Sequence, residues 1–384
     1  MSEPEKIVRL AARGDGVTAS GRFVPGAVPG DTVEGVIVTL RGAHHSKPPC
    51  RHFPECGGCQ LQHVDDSAYR AYLGQRVAEA LAAQQVALPE IREAHLSPPR
   101  SRRRAALKAA GGLVGFNAAA SHRIVDMREC HVLRPELFAV VAPLRRLIKG
   151  RAGAVMTLAD QGVDLLLEGV AADTLDAAEA MTGFARDQGL ARLALDDGGG
   201  PQTLWEPEPV TVTLSGSAVP LPHGAFLQAT AEGEAALVAA VREAVVEAAP
   251  VADLFAGLGT FALALKGKVY AAEGARDSAL ALKQAGGGIL VDHRDLFRRP
   301  LDAAELNRFA AVVLDPPRAG AKEQAASLAA SAVPRIAYVS CNPATFSRDA
   351  AVLAGGGYRL QWVKPVGQFR WSTHVELVGA FLRS

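Results

Sequence analysis

Cys341 lies in Tyr338-Val339-Ser340-Cys341-Asn342-Pro343, at the end of an apolar run that reads as a buried strand. Sites in parallel sheets are built at the carboxyl ends of strands. Asn342-Pro343 reads as a helix start just beyond, whose dipole favours a thiolate. A lone cysteine ending a strand is more often core than nucleophile, but the neighbouring motif reverses that balance. Val312-Val313-Leu314-Asp315-Pro316-Pro317-Arg318 ends another apolar run in a carboxylate and two stiff prolines, a rigid wall for a planar ring. An aromatic residue after such a wall would suit an exocyclic amine; Arg318 is not aromatic and disfavours that chemistry.

A thiol beside such a wall has a specific use. Uracil C5 is too poor a nucleophile to attack a sulfonium methyl, whereas a thiolate adding at C6 turns C5 into an enolate carbon. A base must then remove the C5 proton so that the thiolate can leave. Glu376, in Thr373-His374-Val375-Glu376, is the candidate base; the alternative is an outward-facing carboxylate on an edge strand.

A methyl donor needs its own site. In Asp253-Leu254-Phe255-Ala256-Gly257-Leu258-Gly259-Thr260 a strand runs into a glycine turn and a short helix, Phe261–Leu265. Gly257 and Gly259 allow a ligand close to the backbone, and Ala262 takes the place of a third glycine. The next strand, Lys268–Ala272, ends at Glu273, placed to accept two ribose hydroxyls. Dinucleotides and S-adenosylmethionine share this geometry. The acidic residue opening the turn and a terminal pair of strands favour S-adenosylmethionine.

Of the other four cysteines, Cys50, Cys56 and Cys59 lie close together and Cys130 lies further on. In a reducing compartment cysteines serve as ligands, nucleophiles or core rather than disulfides. Four thiolates suit an iron–sulfur cluster and a tetrahedral zinc equally well.

The elements that must position these groups fall into three stretches. Residues 1–47 read as an OB-like β-barrel, its short runs Ile7–Leu10 and Thr32–Leu40 separated by Gly-Asp-Gly and Pro-Gly-Asp turns. Residues 48–215 hold the cysteine segment, a helix over Tyr69–Gln85, and a small α+β unit with a basic run at Arg102-Arg103-Arg104. Residues 216–384 alternate strand, turn and helix: a helix over Glu234–Glu247, strands Val251–Phe255, Lys268–Ala272, Ala310–Leu314 and Arg335–Ser340, then a hairpin of Tyr358–Pro365 and His374–Leu382. That rhythm predicts a Rossmann-like α/β fold with a mostly parallel sheet and an antiparallel hairpin at its edge.

No run of apolar residues is long enough to span a bilayer, and the chain opens without a signal-like segment, so a cytoplasmic protein is expected. Residues 1–150 hold 21 Lys and Arg against 14 Asp and Glu, a surplus of +7, which leaves −6 on the rest of a chain of net charge +1. A polyanion such as RNA would be drawn to the front half.

With these residues placed, the chain resembles the RNA (uracil-5-)methyltransferases, in particular the iron–sulfur bacterial 23S rRNA members. Ser340-Cys341-Asn342-Pro343 and His374-Val375-Glu376 are similar to that family's nucleophile and proton-acceptor motifs, and Phe226-Leu227-Gln228 to its F-x-Q motif. The resemblance implies a class I methyltransferase domain with an S-adenosylmethionine pocket lined by Gln228, Phe255, Thr260, Glu273, Asp295 and Asp315. Cys50-x5-Cys56-Gly57-Gly58-Cys59, with Cys130, is similar to its cluster motif and implies a [4Fe–4S] cluster on those four cysteines. The N-terminal stretch resembles a TRAM domain, one hairpin short of the usual length. The implied partner is RNA, with 23S rRNA preferred over tRNA, and a monomer with no obligate protein partner is expected. Two positions depart from the family pattern: Thr230, where Asn is common, and Gln368, where an acidic residue is common.

Overall fold

A computed structural model describes residues 3–246 and 248–383. Its largest sheet orders its strands as Leu290–His293, Val269–Glu273, Val251–Leu254, Ala311–Leu314, Arg335–Ser340, Glu376–Arg383, Tyr358–Gly367 and Glu90–Ile91. The first five run parallel, and Glu376–Arg383 is antiparallel to both its neighbours. Ala311–Leu314 and Arg335–Ser340 are apolar without alternation and wholly or almost wholly buried, as strands covered on both faces must be. Chain order reverses between Val251–Leu254 and Ala311–Leu314, and a crevice opens above the carboxyl ends at such a switch point.

The terminal hairpin forms as expected, but it is not the edge. Glu376–Arg383 is inserted beside Arg335–Ser340, and Tyr358–Gly367 is covered by Glu90–Ile91 and His95–Leu96, which pair with it in parallel. Helix Asp66–Ala83, capped by Asp65 accepting from Ala68 N, brings that segment across. Its buried face, Tyr69, Tyr72, Leu73, Val77 and Leu81, shares one core with Tyr338, Phe346, Val363 and Phe381. Residues just after the cysteine segment are therefore built into the C-terminal sheet.

Helix Ala231–Val245 starts at Thr230, whose hydroxyl accepts from Gly233 N at 3.0 Å; the expected end at Glu247 lies outside the described residues. Threonine and asparagine both cap helices through a side-chain oxygen, so the departure at Thr230 keeps the local structure. The helix expected over Phe261–Leu265 shrinks to a single 3-10 turn, Ala262–Ala264. Gly259 lies three residues before it and Gly267 three residues after it, which leaves no room for a second turn of propagation.

A separate six-stranded sheet, ordered Gln202–Trp205, Arg192–Asp196, Gly162–Glu168, Ala152–Ala159, Arg104–Ala110 and Leu113–Gly115, forms the middle of the chain with its own core. At the N-terminus, Glu5–Leu10 pairs with Gly16–Thr18 on one side and Thr32–Glu34 on the other, giving a five-stranded antiparallel sheet. The apolar run Thr32–Leu40 is two strands, Thr32–Glu34 and Ile37–Leu40, turned at Gly35 with φ +62°. Phe23–Val24 and Ile37–Leu40 end the sheet unpaired with each other, so it is an open half-barrel. No helix among the described residues is long and apolar enough to cross a membrane.

Candidate active site

The carboxyl ends of four adjacent strands carry most of the expected cofactor residues. Phe255 follows Val251–Leu254 with φ +66°, a conformation rare for a bulky side chain. Its amide and that of Ala256 both donate to the Ala272 carbonyl, at 3.0 and 3.1 Å, which swings the chain into the glycine turn. Gly259 sits at φ +91°, and a Cβ there would lie 2.3 Å from Leu282 Cδ1. On the next strand end, Glu273 Oε2 accepts from Gly257 N at 2.8 Å and Oε1 from Ala275 N at 2.6 Å. Each carboxylate oxygen keeps a further lone pair for a ligand hydroxyl. Thr260 lies half-buried within the turn. Beside Glu273, Asp295 Oδ1 accepts from Phe297 N at 3.0 Å and Arg298 N at 3.3 Å, leaving Oδ2 against Arg298 at 3.4 Å.

Asp253 is fully buried beneath the turn and accepts from Ala262 N at 2.8 Å, while its Oδ1 has no partner. Burial pushes its carboxyl up to about 7, the Ala262 amide pulls it down, and the Glu273 charge adds to the rise.

Across the crevice Gln228 reaches in from the loop before helix Ala231–Val245. Gln368 Nε2 donates to Gln228 Oε1 at 2.9 Å, and Gln228 Nε2 donates to Asp315 Oδ2 at 3.4 Å. Gln368 Oε1 in turn accepts from Ala229 N at 2.9 Å. The glutamine at 368 thus supplies the donor that fixes the direction of the Gln228 amide. Burial first, then the charges of Glu376 and Asp253, hold the Asp315 carboxyl well above its usual range.

Cys341 ends the strand next to that of Asp315. Asn342 caps helix Pro343–Gly355 by accepting from Ala344 N at 3.1 Å, so the thiol stands just outside a helix amino terminus, as expected. The expected thiolate is not the resting state. Burial, then the charges of Glu376 and Asp315, push the thiol up to about 11, against the pull of Arg318 and a backbone hydrogen bond. Two carboxylates in a half-buried crevice outweigh one helix terminus. Glu376 is buried at the start of its strand, not turned outward, and His374 Nε2 lies 2.8 Å from its Oε1. Arg318 Nη2 lies 3.1 Å from His374 Nδ1, and the Arg318 carbonyl accepts from Asn342 and Thr345.

Cys50, Cys56, Cys59 and Cys130 line one cavity with Phe53, Phe116, Val125, Met127 and Val132. Among the described residues no three His, Cys, Asp or Glu side chains are close enough to hold a single metal ion. Burial pushes all four up, Cys59 to about 12, so any bound metal must displace their protons.

Two arginines of the basic run are engaged within the protein. Arg103 pairs with Glu234 at 2.6 Å and donates to the Gln228 carbonyl at 3.0 Å, clamping the F-x-Q segment. Arg102 lies between the rings of Phe116 and Phe369, at 5.5 and 5.0 Å from their centroids. Sequence reasoning assigned no role to Phe297, whose ring is 5.4 Å from that of Phe255 and 47% exposed, or to His374 itself. An exposed aromatic two residues beyond a strand-end aspartate was the available signal for the first.

A parallel-rich sheet with a terminal antiparallel hairpin, a glycine turn and a strand-end carboxylate defines a class I S-adenosylmethionine-dependent methyltransferase. Over 99% of its length and all of the other chain, the structure is similar to the Pyrococcus abyssi tRNA (uracil-54, C5)-methyltransferase in complex with S-adenosyl-L-homocysteine, with a TM-score of 0.76 at 20% identity. Residues 287–384 match the tRNA (Uracil-5-)-methyltransferase family model. The chain is 53% identical, over 99% of itself and 100% of the relative, to an uncharacterized RNA methyltransferase of Zymomonas mobilis. It is 32% identical, over 98% of itself and 92% of the relative, to the 23S rRNA (uracil(1939)-C(5))-methyltransferase RlmD of Pseudomonas entomophila. The chain belongs to the RNA (uracil-5-)methyltransferase family.

Proposed function

We propose that this enzyme methylates uridine C5 in 23S rRNA through a covalent adduct between Cys341 and uracil C6. The observation that carries this reading is the meeting of a thiol and two carboxylates, Cys341, the half-buried Asp315 and the buried Glu376, at the ends of three adjoining strands. Gln228, Phe255, Thr260, Glu273, Asp295 and Asp315 would hold S-adenosylmethionine, which supplies the methyl group. The fit rests on Glu273 keeping free lone pairs toward the turn and on the absence of any atom within 4 Å of a Cβ at Gly257.

The protein's part is then the following. Asp315, its carboxyl held above the usual range, can hydrogen-bond the edge of the base and hold it against Pro316 and Pro317. Cys341 gives its proton to solvent and its sulfur adds to C6, so the C5–C6 electron pair becomes available at C5. After methylation Glu376 takes the C5 proton; that C–H pair re-forms the C5–C6 double bond while the C6–S pair returns to Cys341 as thiolate. His374 orients the carboxylate for this step.

Cys50, Cys56, Cys59 and Cys130, which line one cavity, would hold a [4Fe–4S] cluster. Four thiols are a donor set that either a [4Fe–4S] cluster or a tetrahedral zinc could take, and the resemblance of the cysteine spacing to the family's cluster motif favours the cluster. The cluster would bridge the cysteine segment and the middle sheet, a structural role. The open five-stranded half-barrel would serve as a TRAM-like RNA-binding module. The full-length relation to an enzyme named for 23S rRNA favours that substrate. The family model is named for tRNA, which gives the second reading. Labelled methyl transfer to unmodified 23S rRNA and to bulk tRNA, followed by nucleoside analysis, separates them. Label in 5-methyluridine of rRNA is expected; label confined to tRNA would move the substrate, and label in another nucleoside would reject the chemistry.

A further inference from the structure

The catalytic carboxylate hangs from a loop, residues 368–375, that the cysteine segment holds in place. Gln60 N and Leu61 N both donate to the Trp371 carbonyl at 2.8 Å, and Thr373 N donates to Gln60 Oε1 at 3.4 Å. Tyr69 Oη donates to the carbonyls of Phe369 at 3.1 Å and Ser372 at 2.8 Å. Trp371 has φ +58°, a left-handed backbone that a bulky side chain keeps only where its surroundings enforce it. Its indole is buried in one small cluster with Cys59, Val132 and the partly buried Cys130. On the other side of the loop, Phe369 packs edge-on to His374 at 4.7 Å, and His374 bonds Glu376.

Nothing in the reaction touches Trp371. Cys341 and the glycine turn, by contrast, stand on elements that the cysteine segment does not bond: strand Arg335–Ser340 with helix Pro343–Gly355, and strand Val251–Leu254.

We propose that Trp371 is a positioning residue through which the four-cysteine cavity sets Glu376. While the cysteines are ordered around their metal, the indole is seated on Cys59 and Cys130, the loop is fixed, and the carboxylate meets the adduct. When the cysteine segment loosens, proton removal from C5 fails before cofactor binding or thiol addition does. The proposal rests on the reading of Cys341 and Glu376 given above.

The test uses anaerobically purified wild-type protein, the same protein stripped with an oxidant and chelator, and the variants Trp371→Phe, Trp371→Leu and Trp371→Ala. The RNA is unmodified 23S rRNA. Stripping should brighten tryptophan fluorescence, because the indole lies against two of the cysteines, and the increase should be largely missing in Trp371→Phe. Stripped wild type and Trp371→Ala should accumulate a methylated, denaturant-stable protein–RNA adduct and release product about tenfold or more slowly, with S-adenosylmethionine affinity within about twofold of wild type. Trp371→Phe should restore release; Trp371→Leu, which keeps apolar volume, gives the slow-release result should Trp371→Ala not fold. Wild-type release rates in both Trp371→Leu and Trp371→Ala would overturn the proposal. So would loss of cofactor binding and adduct formation in step with turnover, which would mean that the cysteines support the whole fold. A wild-type protein forming neither adduct nor 5-methyluridine in the same assay would instead overturn the functional reading beneath it.

Discussion

His374 joins Arg318 to Glu376: its Nδ1 lies 3.1 Å from Arg318 Nη2 and its Nε2 2.8 Å from Glu376 Oε1. A guanidinium can only donate, so Nδ1 accepts and the ring proton sits on Nε2, pointing at the carboxylate. One oxygen of Glu376 is thereby occupied, and in the proposed reaction the other would take the substrate proton. Hydrogen bonds to charged groups contribute about 1.5–3 kcal/mol, so His374→Ala should slow turnover roughly ten- to hundredfold. Single-turnover assays should place the loss after methyl transfer, as accumulated adduct. His374→Gln, which can still donate from near the Nε2 position, should recover part of the rate. Equal rates for wild type and His374→Ala would remove the histidine from the account.

The thiol offers a test without RNA. Since Cys341 is pushed up to about 11 by burial and by Glu376 and Asp315, its thiolate fraction at neutral pH is small. Alkylation of Cys341, followed by peptide mass spectrometry, should rise about tenfold per pH unit between roughly pH 7 and 10. Glu376→Gln removes a charge that raises the thiol, so it should alkylate faster than wild type at about pH 8. Arg318→Ala removes the cation that lowers it and should alkylate more slowly. Slower alkylation of Glu376→Gln would mean the carboxylate acts there as the thiol's base.

The cofactor turn can be closed by a single methyl group. Gly259→Ala places a Cβ 2.3 Å from Leu282 Cδ1 at φ +91°, so S-adenosylmethionine binding by calorimetry should be lost or weakened about a hundredfold. Phe297→Ala, which removes only an exposed ring beside Phe255, should weaken binding by about tenfold or less, as expected for one aromatic contact. Unchanged affinity in both would put the cofactor elsewhere.

Stability has its own focal pair. Arg192 bonds Asp164 through two nearly parallel contacts, 2.8 and 2.9 Å, both side chains almost fully buried, and also donates to the Leu221 carbonyl at 2.9 Å. Breaking a buried pair strands the partner charge, at about 3–5 kcal/mol. Arg192→Ala should therefore lower the denaturation midpoint markedly while Cys341 chemistry persists in whatever fraction folds. A change under about 1 kcal/mol would mean water reaches Asp164.

The strand ends that carry the candidate residues were legible in the sequence. Cys341, Asp315 and Glu273 stand at strand ends because short apolar runs terminate in them, a pattern visible without coordinates. Long-range packing was not legible. Glu90–Ile91 and His95–Leu96 are too short to announce themselves as strands, yet they cover the sheet edge that the hairpin was expected to form. Arg102 and Arg103 read as surface charge because their partners, Phe369 and Glu234, lie far along the chain. The thiolate expected from a helix terminus gave way to burial, and then to two carboxylates that only the fold brings near it.

The covalent route is tested most directly by incubating Glu376→Gln protein with methyl-labelled S-adenosylmethionine and unmodified 23S rRNA, then denaturing and digesting it. A labelled, RNA-linked peptide containing Cys341 is predicted, absent from Cys341→Ala protein that still binds S-adenosylmethionine. Wild-type turnover by Cys341→Ala, or an adduct on any other residue, would contradict the account.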